Sequence, residues 1–113
     1  MSAITTHVLD TSVGKPGAGI RCVLERKSDT SGWLRVACKT TDADGRINDL
    51  LSETDFFSGD YRLIYETGTY FLSRNIESFF PQITIGFVVK DPTQHYHVPL
   101  LLSPFGYSTY RGS

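Results

Sequence analysis

Short runs of alternating apolar and polar residues, separated by turn-forming residues, constrain this chain more than any other feature of its sequence. Ile20, Cys22 and Leu24 alternate with Arg21 and Glu25, and the same two-residue period recurs further along. Because successive side chains of a β-strand point to opposite faces, this period predicts strands that are buried on one face. Several such strands, broken by turn signals at short intervals, are typical of a β-sandwich.

The predicted elements cover most of the chain. Between Gly68 and Pro81 the apolar residues have helical spacing instead, which predicts a short helix that ends before the proline. The fold class we expect is all-β: an antiparallel two-sheet β-sandwich of about eight strands with one short helix. The predicted strands cover residues 4–10, 20–27, 34–38, 47–51, 60–66, 83–89, 96–102 and 107–110.

Length and composition limit the class of protein. A chain of 113 residues fits one domain of ordinary size, so we expect residues 1–113 to form a single domain. The net charge of -1 lacks the basic excess of a nucleic-acid binder, and no apolar run approaches the length of a membrane helix. We therefore expect neither of these partners. The first residues lack the pattern of a signal peptide, which favours a cytoplasmic protein.

The two cysteines, Cys22 and Cys38, both fall at apolar positions of predicted strands. Buried free thiols are the usual outcome in a reducing compartment, and this is the interpretation we favour. A disulfide remains the alternative, and it would require the two strands to be neighbours in the right register.

The alternation also predicts where the histidines point. In the segment 95–102 every even position, from Tyr96 to Leu102, is aromatic or aliphatic, so this face should pack in the core. His95 and His97 must then point away from the core. In the first strand His7 faces outward if Val8 is buried.

Apolar residues share this outward face with the histidines. Since apolar outward positions on strands usually mark an interface, we expect the three histidines to gather between subunits. The apolar residues concerned are Leu9, Pro99 and Leu101.

Two further polar features are candidates for chemistry. Arg46 follows the turn Asp44-Gly45, where a guanidinium could bind a planar anion through paired hydrogen bonds; a solvated surface arginine is the alternative. The terminal segment 110–113 concentrates hydrogen-bonding side chains where a domain usually frays. It either completes a site or is a frayed tail.

Metal binding is a weaker interpretation. His7, His95 and His97 could form a three-histidine zinc site, but no cysteine or carboxylate nearby in sequence completes or orients it. Asp42-x-Asp44-Gly45 has the start of a calcium loop without its closing glutamate. We expect no metal and no organic cofactor.

Four motifs, spread over essentially the whole chain, resemble those of one family: the 5-hydroxyisourate hydrolases, the transthyretin-related proteins of purine catabolism. Transthyretin itself, a hormone carrier of the same fold, lacks this histidine set and this ending. The motifs are Thr6-His7-Val8-Leu9-Asp10 with Gly14-Lys15-Pro16, Asp42-Ala43-Asp44-Gly45-Arg46, His95-Tyr96-His97-Val98-Pro99-Leu100-Leu101-Leu102-Ser103-Pro104 and Tyr110-Arg111-Gly112-Ser113.

The resemblance implies a homotetramer, built as a dimer of dimers, with active sites in a channel between the dimers. It implies that His7, Arg46, His97 and Ser113 are catalytic. It also implies that the substrate-binding residues are His7, Arg46, His95 and Tyr110, with His95 lying beside the catalytic residues.

The reaction that the resemblance implies is hydrolysis of 5-hydroxyisourate to 2-oxo-4-hydroxy-4-carboxy-5-ureidoimidazoline in urate degradation. A neutral imidazole can activate water near pH 7, so His97 or His7 would be the general base. Arg46 would hold the substrate and stabilise an oxyanion. The Ser113 hydroxyl or the terminal carboxylate would orient a histidine or the water.

A transthyretin-like carrier of a small ligand, using the same channel, is the alternative function. A carrier channel requires mostly apolar walls, whereas three histidines and an arginine suit chemistry.

Overall fold

Two β-sheets face each other across an apolar core. In the computed structural model, residues 2–30 and 32–113 are described, and they form nine strands, one α-helix and a 3-10 turn. The helix, α1, covers Thr67–Leu72, and the 3-10 turn covers Glu53–Asp55. The strands are β1 Ile4–Asp10, β2 Lys15–Pro16, β3 Arg21–Lys27, β4 Trp33–Thr40, β5 Arg46–Leu51, β6 Gly59–Tyr65, β7 Ile83–Val89, β8 Tyr96–Ser103 and β9 Gly106–Thr109.

The pairing of the strands confirms the predicted sandwich and adds one feature. One sheet has the order β2-β1-β8-β9, with β5 also paired to β1, and the other has the order β4-β3-β6-β7. All these pairs are antiparallel except β1 with β8, which run parallel. Because they are parallel, the beginnings of both strands lie side by side. An antiparallel pairing would have put the histidines of β8 at the far end of β1.

Strands β1 and β8 bury the faces that their alternation predicts. Ile4, Thr6 and Val8 of β1 are fully buried, and so are Leu100 and Leu102 of β8. Burying an aliphatic side chain of this size stabilises the fold by roughly 1.5–3 kcal/mol. The odd-numbered positions of both strands are thereby turned to the outer face of the sheet.

Thr6, one of the polar residues buried in this core, has hydrogen-bond partners. The Thr6 hydroxyl donates to the Val98 carbonyl at 2.6 Å and pairs with the Tyr65 hydroxyl at 2.8 Å. This contact links the two sheets, because Tyr65 belongs to the opposite one. A buried hydroxyl without partners would cost about 1–3 kcal/mol.

Strand β4 departs from the prediction. We expected both cysteines to be buried; Cys22 is, but Cys38 is exposed. Leu24 pairs with Ala37 and the next residue, Glu25, pairs with Arg35, so β4 contains one extra residue at this point. A bulge of this kind reverses the alternation, and it turns Cys38 to the outer face.

The helix is also shorter than predicted. The spacing predicted helix up to Pro81, but α1 ends at Leu72. Asn75 then adopts a left-handed backbone with φ 57°, a conformation that commonly terminates helices. Gly68, inside the helix, leaves room for the returning chain, because a Cβ there would lie 2.7 Å from the Pro81 carbonyl oxygen.

Within the described residues, no helix is both long and apolar enough to cross a membrane.

Candidate active site

The outer face of β1, β5 and β8 carries a polar cavity near the beginning of β1 and β8. Its volume is about 450 Å³. Strand pairing assembles it: Thr5 lies opposite His97 across the parallel pair, and His7 lies opposite Arg46 on β5. The cavity is lined by Thr5, Arg46, Asn48, His95, His97 and Ser113.

A tight turn fixes the start of β5 and therefore Arg46. The Asp42 carboxylate accepts hydrogen bonds from the backbone N–H groups of Asp44 and Arg46, both at 2.9 Å. Gly45 has a positive φ of 75°, and a Cβ there would lie 2.3 Å from the Val8 carbonyl oxygen. The segment that resembled half of a calcium loop therefore forms a turn that docks on β1.

Thr5 connects the two histidines of β8. Its hydroxyl lies 2.7 Å from His97 Nδ1 and 3.1 Å from His95 Nε2. The second nitrogen of His95, Nδ1, lies 2.9 Å from the Ser2 carbonyl oxygen. These contacts fix the orientation of both imidazole rings relative to the sheet.

The environment of His97 favours its neutral form. Partial burial lowers the pKa of His97, and the positive charge of Arg46 together with the imidazoles of His7 and His95 lowers it further. A backbone hydrogen bond with Thr5 opposes this shift. A lowered pKa leaves the imidazole uncharged at neutral pH, which is the state that a general base requires.

The C-terminal segment docks on β8. The Gly112 N–H donates to the His97 carbonyl at 2.8 Å, which forms an isolated β-bridge between the two residues. A Cβ at Gly112 would lie 2.6 Å from His97 Cδ2, so glycine is required for this close approach. The tail therefore brings Ser113 to the cavity instead of fraying.

Arg111 holds the C-terminal segment against β8, a role that the sequence did not predict. Its guanidinium lies over the Tyr96 ring, 4.3 Å from the centroid, and Nη2 donates to Gln94 Oε1 at 3.1 Å. A cation–π contact of this kind contributes about 0.5–1 kcal/mol at an exposed site.

The predicted site residues do not all meet in one cavity. Arg46, His95, His97 and Ser113 line the polar cavity, and His7 adjoins it through Arg46. Tyr110 lines a different cavity of about 320 Å³, bounded by β7, β8 and the tail. His97 lines both cavities, so it is the residue through which Tyr110 is connected to the others.

Two residues of the polar cavity, Thr5 and Asn48, were not among our predicted site residues. The alternation contained a signal for both. Thr5 shares the outward face of β1 with His7, and Asn48 shares a face of β5 with Arg46, because residues two apart in a strand point the same way. Neither residue type is titratable near neutral pH, so the sequence does not mark either one as a candidate acid or base.

Metal binding finds no support in the geometry. Among residues 2–30 and 32–113, no group of three or more histidine, cysteine, aspartate or glutamate side chains is arranged to hold a metal ion. The ring nitrogens of His95 hydrogen bond to Thr5 and Ser2 instead.

A two-sheet sandwich that carries histidines, an arginine and its own C-terminus around a polar cavity belongs to the small β-sandwich proteins with a small-molecule site. Comparison with known proteins identifies the family within this class of β-sandwich proteins. The chain belongs to the HIUase/Transthyretin family, whose sequence profile matches residues 4–112.

The similar proteins include 5-hydroxyisourate hydrolases and a transthyretin. The 5-hydroxyisourate hydrolase of Salmonella dublin is 49% identical over 97% of this chain and 80% of its own. The solved structure of the Klebsiella pneumoniae 5-hydroxyisourate hydrolase is 39% identical, with a TM-score of 0.83 over 97% of this chain and 98% of its own. Sea bream transthyretin in complex with thyroxine is 30% identical, with a TM-score of 0.93 over 97% of this chain and 94% of its own.

These similarities separate fold from function. The backbone superposes on the carrier at least as well as on the hydrolase, so the fold alone does not distinguish between the two activities. The distinction has to come from the side chains of the site.

Proposed function

We propose that this protein is a 5-hydroxyisourate hydrolase, which converts 5-hydroxyisourate to 2-oxo-4-hydroxy-4-carboxy-5-ureidoimidazoline in urate degradation. The observation that carries the proposal is the cavity that joins His97, an imidazole with a lowered pKa, to Arg46 and the C-terminal Ser113. Relatives that bear the name of this enzyme at up to 49% identity support it.

The proposed mechanism is attack of water on a ring amide. The His97 imidazole removes a proton from water as the water oxygen bonds to the carbonyl carbon of the six-membered ring. The carbonyl oxygen becomes an oxyanion, which the Arg46 guanidinium stabilises. The intermediate then reforms its carbonyl by breaking the C–N bond, and the departing nitrogen takes the proton from His97. The ring is opened and the enzyme is regenerated without a cofactor.

His97 is a better candidate for the base than His7. His97 lines the cavity, and burial together with Arg46 lowers its pKa, so that the imidazole is neutral and keeps one unprotonated ring nitrogen at neutral pH. His7 lies opposite Arg46 in the strand register, and we assign it to substrate binding with Arg46.

The C-terminal segment contributes the remaining contacts in this proposal. Ser113 orients the water or the substrate at the cavity that it lines with His97. Tyr110 is 59% exposed and reaches substrate only from the far side of His97, or from a second copy of the chain. His95 does not contact the reacting atoms in this proposal; it affects the reaction through Thr5, whose hydroxyl contacts both His95 and His97.

A carrier function is the second candidate, favoured by the TM-score of 0.93 to a transthyretin in complex with thyroxine. The residues that line the polar cavity argue against it. They include a guanidinium and two imidazoles, whereas an apolar ligand is bound best by apolar walls.

We further propose that four copies assemble with the polar cavities between them. Two edge strands support association: β7 carries Val88, which is 55% exposed, and β9 carries Tyr107, which is 44% exposed. Unpaired strand edges with exposed apolar side chains are templates for pairing with another chain. Sedimentation equilibrium, with a tetramer as the expected result and a monomer as the contradictory one, tests this.

A cytoplasmic location is consistent with the cysteines. Cys22 and Cys38 are both free, and an exposed free thiol such as Cys38 persists best in a reducing compartment.

The experiment that tests the function compares the two candidates directly. Freshly generated 5-hydroxyisourate is mixed with the purified protein and its decay is followed by absorbance, while thyroxine binding is measured on the same sample by calorimetry. We expect faster decay than in buffer and no saturable thyroxine binding. Unchanged decay together with stoichiometric binding would replace the hydrolase by the carrier.

A further inference from the structure

The hydrogen bonds around Thr5 determine which nitrogen of His97 carries a proton. The starting point is the Ser2 carbonyl oxygen, which lies 2.9 Å from His95 Nδ1. A carbonyl oxygen can only accept a hydrogen bond, so His95 Nδ1 must carry its proton. In a neutral imidazole the other nitrogen is then unprotonated, and His95 Nε2 is an acceptor.

This fixes the direction of the next hydrogen bond. The Thr5 hydroxyl lies 3.1 Å from His95 Nε2, and it has a single proton to donate. Since Nε2 can only accept, the Thr5 hydroxyl donates to His95. The same oxygen keeps its lone pairs for a second partner.

That second partner is His97. Its Nδ1 lies 2.7 Å from the Thr5 oxygen, the shorter of the two contacts. Because the hydroxyl proton is directed at His95, the Thr5 oxygen must accept here, and His97 Nδ1 must donate. His97 is therefore protonated on Nδ1, and its lone pair lies on Nε2.

The location of that lone pair suits the reaction. His97 Nε2 makes no hydrogen bond to the described residues, and His97 lines the polar cavity with Arg46 and Ser113 as well as the second cavity. A general base needs an unprotonated nitrogen on the substrate side. With the opposite tautomer the cavity would meet an N–H group that cannot take a proton from water.

We propose that Thr5 and His95 are positioning residues that hold His97 in the Nδ1–H tautomer, so that Nε2 serves as the base. This proposal rests on the proposed hydrolase function for its catalytic consequence, but the tautomer itself is independent of it. The chain of bonds runs from the Ser2 carbonyl through His95 and Thr5 to His97, and no carboxylate takes part in it.

The direction holds while His95 is neutral. A doubly protonated His95 would donate at both nitrogens, and the Thr5 hydroxyl would then have to donate to His97 instead. The other charged or titratable groups that face this pair are Arg46 on β5, His7 on β1, Arg111 and the carboxylate at Ser113 in the tail, and Glu53, which lines a neighbouring cavity with His95. The test is therefore made at about pH 8, where ordinary histidines are neutral.

The experiment reads the tautomer by nitrogen NMR of protein with ¹⁵N-labelled histidine. We expect His97 to be protonated on Nδ1 in the unaltered protein and in Thr5→Ser, which keeps the hydroxyl. In Thr5→Val, which keeps the shape and the backbone contact with His97 but lacks the hydroxyl, the fraction of the Nδ1–H form should fall. His95→Ala should shift His97 toward Nε2–H, because the hydroxyl is then free to donate to it. Thr11→Val is the matched control, since the Thr11 hydroxyl donates to the Leu102 carbonyl at 3.0 Å, beyond the far end of β1.

Activity provides a second readout. Thr5→Val should lower kcat roughly 10-fold or more with little change in KM, whereas Thr5→Ser should restore it. A His97 protonated on Nε2 in the unaltered protein would overturn the proposal, and so would an unchanged tautomer in both Thr5→Val and His95→Ala. If the unaltered protein has no hydrolase activity, the proposed function fails, while the NMR result still decides the tautomer.

Discussion

Strand β8 has a partner on each side, whereas strand β4 pairs only with β3 and forms the edge of its sheet. The difference is visible in their side chains. In β8 the inward positions stay in phase and are all buried, from Tyr96 to Leu102, while in β4 an extra residue opposite Leu24 and Glu25 reverses the alternation. An extra residue in a strand that is hydrogen bonded on both sides locally interrupts the pairing with two neighbours. In an edge strand such as β4 it interrupts the pairing with only one, and the pairing resumes on either side.

The comparison explains where the polar cavity lies. A base has to be held within a fraction of an ångström of its substrate, and precise positions come from rigid elements. His97 is held from both sides, by Thr5 of β1 and by the bridge to Gly112. The cysteine of β4, in contrast, lies on an exposed face where small shifts have no consequence.

The largest effect is expected from removing His97, the proposed base on the doubly paired strand. His97→Gln should lower the rate of 5-hydroxyisourate hydrolysis by roughly 10²–10⁴-fold, the usual loss of a general base. Thermal unfolding should change little, since the His97 side chain is only partly buried. The matched change on the edge strand, Arg35→Gln, should leave the rate unaltered. Equal rates in both variants would remove His97 from the mechanism.

The next effect concerns the tail that covers β8. Gly112→Ala should lower the rate roughly 10- to 10²-fold, because its Cβ would collide with the His97 ring and displace either the ring or Ser113. Gly106→Ala is the control, since a Cβ there would meet only Ser103 Oγ at an ordinary 3.7 Å. Kinetics of the two variants at equal folded fractions make the comparison. A rate loss in Gly106→Ala as large as in Gly112→Ala would point to a general effect on folding.

The pH dependence sharpens the assignment of the base. Because burial and Arg46 lower the pKa of His97, the rate should stay high below the ordinary histidine value of 6.5 and fall only as the pH passes the lowered value. The unfolded chain binds more protons in this window, so the folded state should also lose stability there as the pH falls. Arg46→Gln should raise the pKa of His97, measured by NMR titration. A His97 pKa that stays the same in Arg46→Gln would contradict the proposed electrostatic contact.

The smallest expected effect is a difference in thiol reactivity and in stability between the two cysteines. Cys38, on the edge strand, should react with a thiol reagent in the native protein, whereas Cys22 should react only after unfolding. Burial raises the pKa of Cys22 to about 12, which leaves almost no thiolate at neutral pH. Cys22→Ser should destabilise the fold by about 1–3 kcal/mol and Cys38→Ser by less than about 0.5 kcal/mol. Mass spectrometry after labelling measures which thiol reacts first. An adduct on Cys22 in the native protein would contradict the expected order of reactivity.

Much of the fold could be predicted from the sequence because its information is local. The alternation in β1 and β8 predicted which positions are buried, and the histidines point outward as expected. The bulge in β4 could not be predicted, because it depends on the pairing with β3. The left-handed Asn75 that follows the helix is a local signal, since asparagine commonly terminates helices, and our prediction missed it. That residues 1–113 form one domain stays a prediction.

The candidate site was predictable in composition but not in arrangement. The motifs pointed to His7, Arg46, His95, His97 and Ser113. The parallel pairing that brings β1 beside β8 leaves no trace in a single sequence, so the alternation can place Thr5 on the outward face of β1 but not beside His97. The separation of Tyr110 from the polar cavity is likewise a consequence of how the tail crosses β8.

We propose that the C-terminal segment 110–113 and strand β8 act together as one hydrolytic site. The most direct test follows the decay of freshly generated 5-hydroxyisourate with the intact protein and with a version truncated after Thr109. We expect the intact protein to accelerate the decay. The truncated protein should lose this acceleration while its circular dichroism spectrum shows unchanged folding. Decay at the buffer rate with intact protein, or full activity without the tail, would contradict it.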